Sequence, residues 1–459
     1  MLRINLNLTI VTMVVPRVKK DYVSECMTRD IYSSNVTTPK SDEYTGGDRF
    51  HWTEYQQGLA LGAFYWFHWL TQLPGGILAR RYGTKLVYGL GNLITALIGF
   101  LIPWLTWYHF NALVVLRVLQ GLIAGVVWPS MHDMTAKWIP PNERSRFVSA
   151  YLGSSVGAAI TYPLCATVTN WFNWGAAFHV TSMLGVIWSC FWYFLVYNSP
   201  EEHPRISDEE KKHILDSIAT SVQKTETRIP WKSIFTSRPV WITIIAQWGG
   251  AWGLLTLMTQ SPTYFTFIHG WDLRVTGILS GAPHILRAIF SVYYSKMSDW
   301  LIRTNKMRLT NVRKMATCVS VGLQGVFILA LGFSGCYPIL AAFFLMMGTM
   351  VNGAVSASTL AAFVDMSPNY ASILLGFCGM VVIITGFISP MVVGLLTDNN
   401  QTVAQWQLVF IIAALNTISC TIVYVIWGSS DEQPWNSYGK SSQENEREMQ
   451  KLTETPKTL

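Results

Sequence analysis

Long apolar blocks separated by short charged connections are the feature that most restricts how this chain can fold. The 459 residues are 51% hydrophobic and only 13% charged, whereas a soluble domain carries roughly 25% charged residues. A helix of about 20 apolar residues crosses the hydrocarbon core of a bilayer, because a helix satisfies its own backbone hydrogen bonds. The blocks do not alternate polar and apolar residues, as the strands of a membrane barrel do. The sequence therefore predicts an all-α integral membrane protein with many spans.

Twelve spans are predicted, of which the first is the least regular. At ~1.5 Å per residue the opening apolar segment, 1–16, reaches only about 24 Å, which is short of the ~30 Å hydrocarbon core. It is either a truncated first span or a signal peptide. Its asparagines and threonines, and the lack of a small-residue cleavage site, favour the truncated span. The other spans are 54–79, 86–108, 110–134, 147–169, 175–197, 239–266, 275–297, 314–334, 337–362, 370–396 and 405–428.

The spans divide into two halves of six. We expect an N-terminal half, 1–197, a charged cytoplasmic connection, 198–238, a C-terminal half, 239–428, and a disordered cytoplasmic tail, 429–459. The basic connection GGILARRYGTK follows the second span of the first half, and SKMSDWLIRTNK follows the second span of the other half. Two parallel repeats with a substrate site between them are typical of secondary transporters.

The lysines and arginines predict the orientation of the chain in the membrane. They are concentrated after the second, fourth and eighth spans, and the connections on the opposite side hold almost none. The positive-inside rule therefore places both termini in the cytoplasm. The same topology puts the glycosylation sequons at Asn35 and Asn400 outside, where they can be modified.

Cysteines and net charge indicate no metal site and no nucleic-acid partner. The seven cysteines show no metal-binding spacing, and most lie in apolar runs, so we interpret them as small buried side chains. Only Cys26 lies in a long polar loop, where it has no obvious partner. The net charge of +7 is spread over the connections. No protease, hydrolase or nucleotide-binding motif is present, so an enzyme is not expected.

The stretch RVLQGLIAGVVWPSMHDMTAKWIPPNERSR, 117–146, is the strongest candidate for a functional helix. An arginine within an apolar helix costs about 2.5–3.5 kcal/mol on insertion scales, so Arg117 marks a functional site by default. Gly121, Ala124 and Gly125 would let a neighbouring helix approach closely. The nearest carboxylate on this helix, Asp133, lies about 24 Å along the axis from Arg117 and cannot pair with it.

Several long stretches resemble the anion–cation symporter family of the Major Facilitator Superfamily, which includes sialin, the vesicular glutamate transporters and the sodium–phosphate cotransporters. The similarity runs nearly end to end and looks closest to the insect inorganic phosphate cotransporters. Its most specific motifs are WIPPNERSR, 138–146, and DMSPNYASILLG, 365–376. Further matches are RINLNLTIV, LGAFYWFHWLTQLPGGILARRYG, RVLQGL, PVWITIIAQW and QPWN.

The resemblance implies roles for two arginines. In relatives, the arginine at the position of Arg3 faces the central cavity and meets the substrate carboxylate; the alternative is a positive-inside flank of a short segment. Arg117 matches the family's fourth-span arginine, whose guanidinium an anion would satisfy; the alternative is a structural pairing within the bundle. Relatives keep one or two coupling glutamates at the positions of Gln120 and Ala124, so this departure puts their proton-coupled mechanism in doubt. Glutamate carriers also have basic residues at two further positions, which are Leu61 and Gly250 here.

Arg287 is a candidate substrate ligand that the family pattern does not supply. It lies in the eighth span, near His284, and we hypothesise that it offers a positive charge from the C-terminal half. The alternative is that Arg287 pairs with a carbonyl or with Asp365. For gating or coupling the candidates are His132, Asp133, Asp365 and Arg81. The first three have a structural alternative as packing or helix-end residues, whereas Arg81 would latch helix ends from the loop after the second span.

The sequence predicts a secondary transporter of small anions, inorganic phosphate or an organic carboxylate, that works by alternating access. We expect cation-coupled symport with Na⁺ or H⁺ and no other cofactor, in a plasma, lysosomal or vesicular membrane. A monomer in the lipid bilayer should suffice. The alternative is a non-transporting relative that acts as a sensor or a partner protein. The short first span and the missing glutamates favour this alternative.

Overall fold

The computed structural model describes residues 1–15, 26, 49–139, 153–219, 229–368 and 370–437. Within this part of the chain the protein is almost entirely helical, with a single isolated bridge between Val14 and Phe50. Each predicted span corresponds to one helix or to two helices in line. The predicted fifth span begins before the described residues, and Asn35 lies outside them.

Spans 1 to 6 form the N-terminal half. They consist of Asn5–Met13; Glu54–Ala63 with Gln72–Tyr82; Thr84–Tyr108; Phe110–Ala124 with Val127–Trp138; Gly153–Trp171; and Trp174–Leu195. Span 2 begins with a capping box, because the Thr53 side chain accepts from the backbone N–H of Gln56 and the Gln56 side chain accepts in return. Span 2 ends at Gly83, whose φ of 86° suits a residue without a Cβ.

Spans 7 to 12 form the C-terminal half. They consist of Arg238–Phe267; Leu273–Arg303; Leu309–Thr317 with Gln324–Gly332; Pro338–Val351 with Thr359–Met366; Ala371–Val382 with Thr385–Thr397; and Val403–Trp427. The helices Asp208–Ala219 and Trp231–Thr236 lie in the connection between the halves. Nine helices of the described residues are long and apolar enough to cross a membrane. The other predicted spans are the nine-residue first helix, the interrupted second span and the fifth span.

The two ends of the bundle differ in their charge. We call the end at which Asn400 lies the sequon end, and the opposite end, which carries Arg80 and Arg81, the basic end. The first residues of the tail lie at the basic end, where the backbone N–H of Gln433 donates to the Met366 carbonyl over 2.9 Å. The Ser367 hydroxyl donates to the buried Asn436 side chain over 2.8 Å. The prediction of disorder from residue 429 is therefore wrong for 429–437.

Spans 2 and 11 bring the two halves into close contact at the sequon end. A Cβ on Gly58 would lie 2.5 Å from the Pro390 carbonyl oxygen, and one on Gly62 would lie 3.2 Å from that of Phe387. We call this contact the glycine seam. Because each glycine meets backbone of the other half, the two helices can approach this closely only without side chains there.

Spans 5 and 8 form a second close contact between the halves. A Cβ on Gly281 would lie 2.7 Å from the Ala159 carbonyl oxygen, and one on Gly277 would lie 2.5 Å from the Ala166 Cβ. Beside these glycines the ring of Tyr162 stacks on the ring of His284, with centroids 6.0 Å apart. The paired contacts place the interface between halves along the centre of the bundle.

A disulfide joins Cys26, in the connection between spans 1 and 2, to Cys336, between spans 9 and 10. The interpretation as a small buried thiol is therefore wrong for Cys336, and Cys26, for which the loop showed no obvious partner, has one in the C-terminal half. Cys26 is buried among apolar side chains of the C-terminal half, including Phe265 and Trp406. The sequence gives no sign of this pairing, because the two cysteines are 310 residues apart.

The glycine seam leads to a first prediction. Gly58→Ala should destabilise the protein by about 1–3 kcal/mol, because the added methyl group overpacks the contact with Pro390. Gly376→Ala in span 11 is the matched control, since a Cβ there meets no atom within 4 Å. The measurement is thermal unfolding of the purified protein in detergent, and equal midpoints for the two variants would contradict the prediction.

Candidate functional site

Arg117 lies in span 4 with its side chain fully enclosed, at 1% exposure. One terminal nitrogen donates to the Leu2 carbonyl over 3.1 Å, and the other donates to the Arg3 carbonyl over 2.8 Å. The guanidinium also lies over the Phe64 ring, 5.3 Å from its centroid. Its Nε is buried and makes no hydrogen bond. The charge is therefore surrounded by partial charges and carries no full counter-charge.

The glycines of span 4 make this arrangement possible. A Cβ on Gly121 would lie 1.8 Å from the Phe64 carbonyl oxygen, and one on Gly125 would lie 2.4 Å from that of His68. Span 2 therefore packs directly on span 4, as the small residues predicted. The same contact holds the His68 ring, whose Nδ1 lies 3.0 Å from the Gly121 carbonyl oxygen.

Gln120 occupies the position at which the family keeps a glutamate, and it contacts the arginine directly. Its side-chain oxygen accepts from Arg117 over 3.1 Å, and its amide nitrogen donates to the Thr95 carbonyl over 3.0 Å. A neutral amide cannot take up or release a proton in the physiological range. This neighbour therefore leaves the charge of Arg117 uncompensated at every pH.

Arg3 precedes span 1, and its side chain is half-buried. Its backbone carbonyl accepts from Arg117, so two arginines of the N-terminal half are neighbours, and Arg287 of the C-terminal half lies where that half contacts Ser155. In the described part of the chain no carboxylate pairs with Arg3, Arg117 or Arg287. The centre of the bundle is therefore electropositive.

Arg287 connects the two halves of the molecule. Its Nε donates to the Asn352 side chain of span 10 over 3.0 Å, and a terminal nitrogen donates to the Ser155 hydroxyl of span 5 over 2.6 Å. Asn352 in turn donates to the Gly250 carbonyl over 3.3 Å. Arg287 therefore does not pair with Asp365, and this part of the alternative interpretation is wrong.

Asp365 pairs with Arg313 instead. Arg313 lies near the start of span 9, 7% exposed, and its Nε donates to Asp365 over 2.7 Å. It also donates to the Ala357 carbonyl over 2.9 Å. The N-terminal half has a weaker counterpart, in which Asp133 accepts from Thr84 over 2.9 Å and pairs with Lys137 at 2.8 Å. In each half the aspartate joins the end of the fourth span to the start of the third span, which agrees with a helix-end role.

The other two gating candidates are less informative. His132 lies on the helix Val127–Trp138, but its side chain is outside what the structure describes. Arg81 is exposed at the basic end, and its guanidinium lies 5.4 Å from the centroid of the Tyr82 ring. Their roles in gating stay predictions.

Sequence reasoning missed a polar contact between the halves around Tyr162. The Tyr162 hydroxyl donates to the Met258 carbonyl of span 7. Asn7 of span 1 donates to the Tyr162 hydroxyl over 3.3 Å and to the same carbonyl over 3.4 Å. Asn7 lies in an apolar segment, and a buried amide there is the signal that could have revealed it.

Comparisons with known proteins agree with this architecture. The Major Facilitator Superfamily model matches residues 6–312. Human vesicular glutamate transporter 2 is 33% identical over 401 residues, which cover 86% of this chain and 69% of the relative. Zebrafish vesicular glutamate transporter 3 is 34% identical over 401 residues, covering 86% and 68% of the two chains.

Solved structures show the same fold at low sequence identity. A bacterial homologue of the human lysosomal transporter Spinster, in an inward-facing and occupied conformation, has a TM-score of 0.65 with 12% identity, covering 93% of both chains. The E. coli xylose transporter XylE, in an inward-open conformation, has a TM-score of 0.57 with 11% identity, covering 90% of this chain and 92% of that one.

The fold and the electropositive centre define a multi-pass integral membrane protein of the secondary transporter class, with two six-helix halves around a central site. The chain belongs to the Major Facilitator Superfamily and, within it, to the anion–cation symporter family. It is a secondary active anion transporter that works by alternating access. The alternative of a non-transporting relative is not favoured.

The pairing of Asp365 leads to a second prediction. Asp365→Asn should destabilise the protein by about 3–5 kcal/mol, because it leaves the buried Arg313 without its counter-charge. Arg313→Met should cost less, because the Asp365 that it leaves is half-buried. The double variant should lose much less than the sum, since neither charge is then stranded. Thermal unfolding of the four proteins measures this coupling. Additive losses would show that the two side chains act independently, and Asp133→Asn is the comparison in the more exposed N-terminal pair.

Proposed function

We propose that this protein carries a small anion, inorganic phosphate or an organic carboxylate, on Arg3, Arg117 and Arg287, coupled to a cation gradient. The observation that supports this most strongly is the environment of Arg117. Its buried charge has only neutral acceptors, and one of its N–H groups has no acceptor at all. A guanidinium binds carboxylate or phosphate with two parallel hydrogen bonds, so an anion would satisfy it far better than carbonyls do.

Both halves would contribute to this site. Arg3 and Arg117 belong to the N-terminal half, whereas Arg287 belongs to the C-terminal half and is already hydrogen-bonded to Ser155 across the interface. An anion held between them would draw the halves together, because it interacts with charges on both. Such a central site between moving halves is what alternating access requires.

Arg287 also lies close to the position at which glutamate carriers have a basic residue. That position is Gly250, and its carbonyl accepts from Asn352, which in turn accepts from Arg287. The charge of Arg287 would therefore reach the region that Gly250 leaves without one. This supports a site for a small anion and, with Leu61 and Gln120, argues against glutamate as the substrate.

The direction of transport depends on the topology. We infer that the sequon end faces the outside or the lumen of an organelle, and that both termini are cytoplasmic. The positive-inside rule supports this, as does the position of Asn400, which is exposed between spans 11 and 12. The disulfide supports it independently, because disulfides persist in oxidising compartments and are rare in the cytosol. The membrane would be the plasma membrane or a lysosomal or vesicular membrane.

The substrate site leads to a third prediction. Arg117→Ala should abolish uptake of labelled phosphate or labelled organic carboxylates by liposomes that contain the purified protein. Arg117→Lys should retain little activity, since an ammonium cannot reproduce the planar fork of donors. Arg205→Ala is the control, because Arg205 is exposed in the connection between the halves.

Two outcomes would contradict the proposal. Uptake that is unchanged in Arg117→Ala, at equal protein content, would remove the arginine from the substrate site. If no anion of a broad panel is transported or stabilises the wild-type protein, the sensor or partner role becomes the better interpretation.

The topology leads to a fourth prediction. In eukaryotic cells Asn35→Gln and Asn400→Gln should each remove one N-linked glycan from the protein, because both sequons would lie on the glycosylated side of the membrane. The measurement is the gel mobility of the variants before and after enzymatic removal of N-glycans. Modification of neither site in the wild type, together with labelling of Arg80→Cys from outside the cell, would reverse the topology.

A further inference from the structure

A small polar cavity lies within the glycine seam, at the sequon end and away from the arginines. Spans 2, 7 and 11 form most of its wall, so both halves contribute. Its polar lining comes from Glu54, Gln57, Gln260, Thr263, Thr397 and Gln401. The cavity has a volume of about 10 Å³, which is room for about one water molecule or one ion of similar size.

Glu54 is the charged group of this cavity. It is the first residue of span 2, and its side chain is only 6% exposed. One carboxylate oxygen accepts from the backbone N–H of Asn399, at the end of span 11, over 3.1 Å. In the part of the chain that the structure describes, no cationic side chain pairs with it. A carboxylate that is buried without a counter-charge costs several kcal/mol, so a cation at this point would stabilise the closed seam.

The C-terminal half supplies unused oxygen ligands to the same cavity. Gln260 and Thr263 of span 7 are 4% and 6% exposed. Both line the cavity, and in the described part of the chain no hydrogen bond is seen for either side chain. Their polar atoms keep some accessible surface, so they are open to the space beside the buried carboxylate and can serve there as oxygen ligands.

We propose that this cavity is a Na⁺ site, in which Glu54, Gln260 and Thr263 are the principal ligands. Hard cations prefer carboxylate, carbonyl and hydroxyl oxygens, which are the groups present. A single carboxylate balances one positive charge, which favours a monovalent ion over a divalent one. The site is distinct from the arginine cluster, and its coupling role rests on the proposed anion transport.

The position of the site explains how the ion would be coupled to movement. Glu54 belongs to the N-terminal half and Gln260 and Thr263 to the C-terminal half, so the complete set of ligands exists only when the seam is closed. Opening of the sequon end would separate them and expose the carboxylate to water. Na⁺ that enters from that side would therefore favour closure, because it neutralises the carboxylate as it becomes buried.

Na⁺ binding by the full-length protein in detergent, without any anionic substrate, tests the site. Replacing N-methylglucamine chloride with NaCl at matched ionic strength should raise the thermal unfolding midpoint of the wild type and of Glu201→Gln, an exposed control. Glu54→Gln should lose the response to Na⁺. Without Na⁺ it should be at least as stable as the wild type, because the amide removes the buried charge. Thr263→Val should need more Na⁺ for the same shift.

Three outcomes would overturn the proposal. The first is an Na⁺ response that persists in both Glu54→Gln and Thr263→Val. The second is a wild type that does not respond to Na⁺ and responds instead to acidification, which would assign a proton to Glu54. The third is an equal response to K⁺ and Na⁺, which would indicate an ionic effect without a built site.

The same measurement separates this site from the anion site. Arg117→Ala should keep its Na⁺ response, because the arginine does not line the cavity. If the protein binds Na⁺ through Glu54 but transports no anion, the cation site is supported and the proposed function is contradicted. If it takes up anions but does not respond to Na⁺, the proposed function is supported and the cation site is contradicted.

Discussion

The buried charge of Arg117 is the constraint on which the centre of this protein depends. A guanidinium inside a membrane bundle must find acceptors, and here they come from the chain just before span 1 and from Gln120. These bonds fix the start of span 1 against span 4. The position of Arg3, and with it the electrostatic character of the whole centre, follows from how Arg117 is satisfied.

The two halves hold their third and fourth spans together at the basic end with different residues. At the basic end each half uses an aspartate to hold its third and fourth helices together, but the partner is a buried arginine, Arg313, in one half and a threonine with a lysine in the other. A pair with a buried arginine responds more strongly to the loss of one member than an exposed pair does. Loss of one member should therefore cost more stability in the C-terminal half than in the N-terminal half.

Much of the fold could be predicted because membrane spans have a simple signature. The apolar block 239–266 corresponds to the helix Arg238–Phe267, since in lipid only helices leave no backbone group unsatisfied. Span 2 was harder, because the chain between Ala63 and Gln72 departs from a regular helix although its composition stays apolar. Arg117 was found for the opposite reason, as a charge that apolar surroundings make conspicuous.

The contacts that sequence reasoning missed all depend on residues far apart in the chain. Arg313 and Asp365 are 52 residues apart, and both charges resemble ordinary connection residues near the ends of spans. Glu54 begins a helix and resembles a first-turn acidic residue, whereas its burial becomes visible only when span 11 is placed against it. Position along the chain does not reveal which helix ends meet.

The disulfide between Cys26 and Cys336 has a consequence for how the protein is made. Its two cysteines are separated by 310 residues, and translation at ~5–20 residues per second takes roughly 15–60 s to cover such a distance. On the topology proposed above, Cys26 spends that interval as a free thiol in an oxidising compartment, where it can react with wrong partners. The native bond can form only after spans 9 and 10 have been inserted. A mature chain that contains this disulfide has therefore brought its C-terminal half beside its N-terminal half.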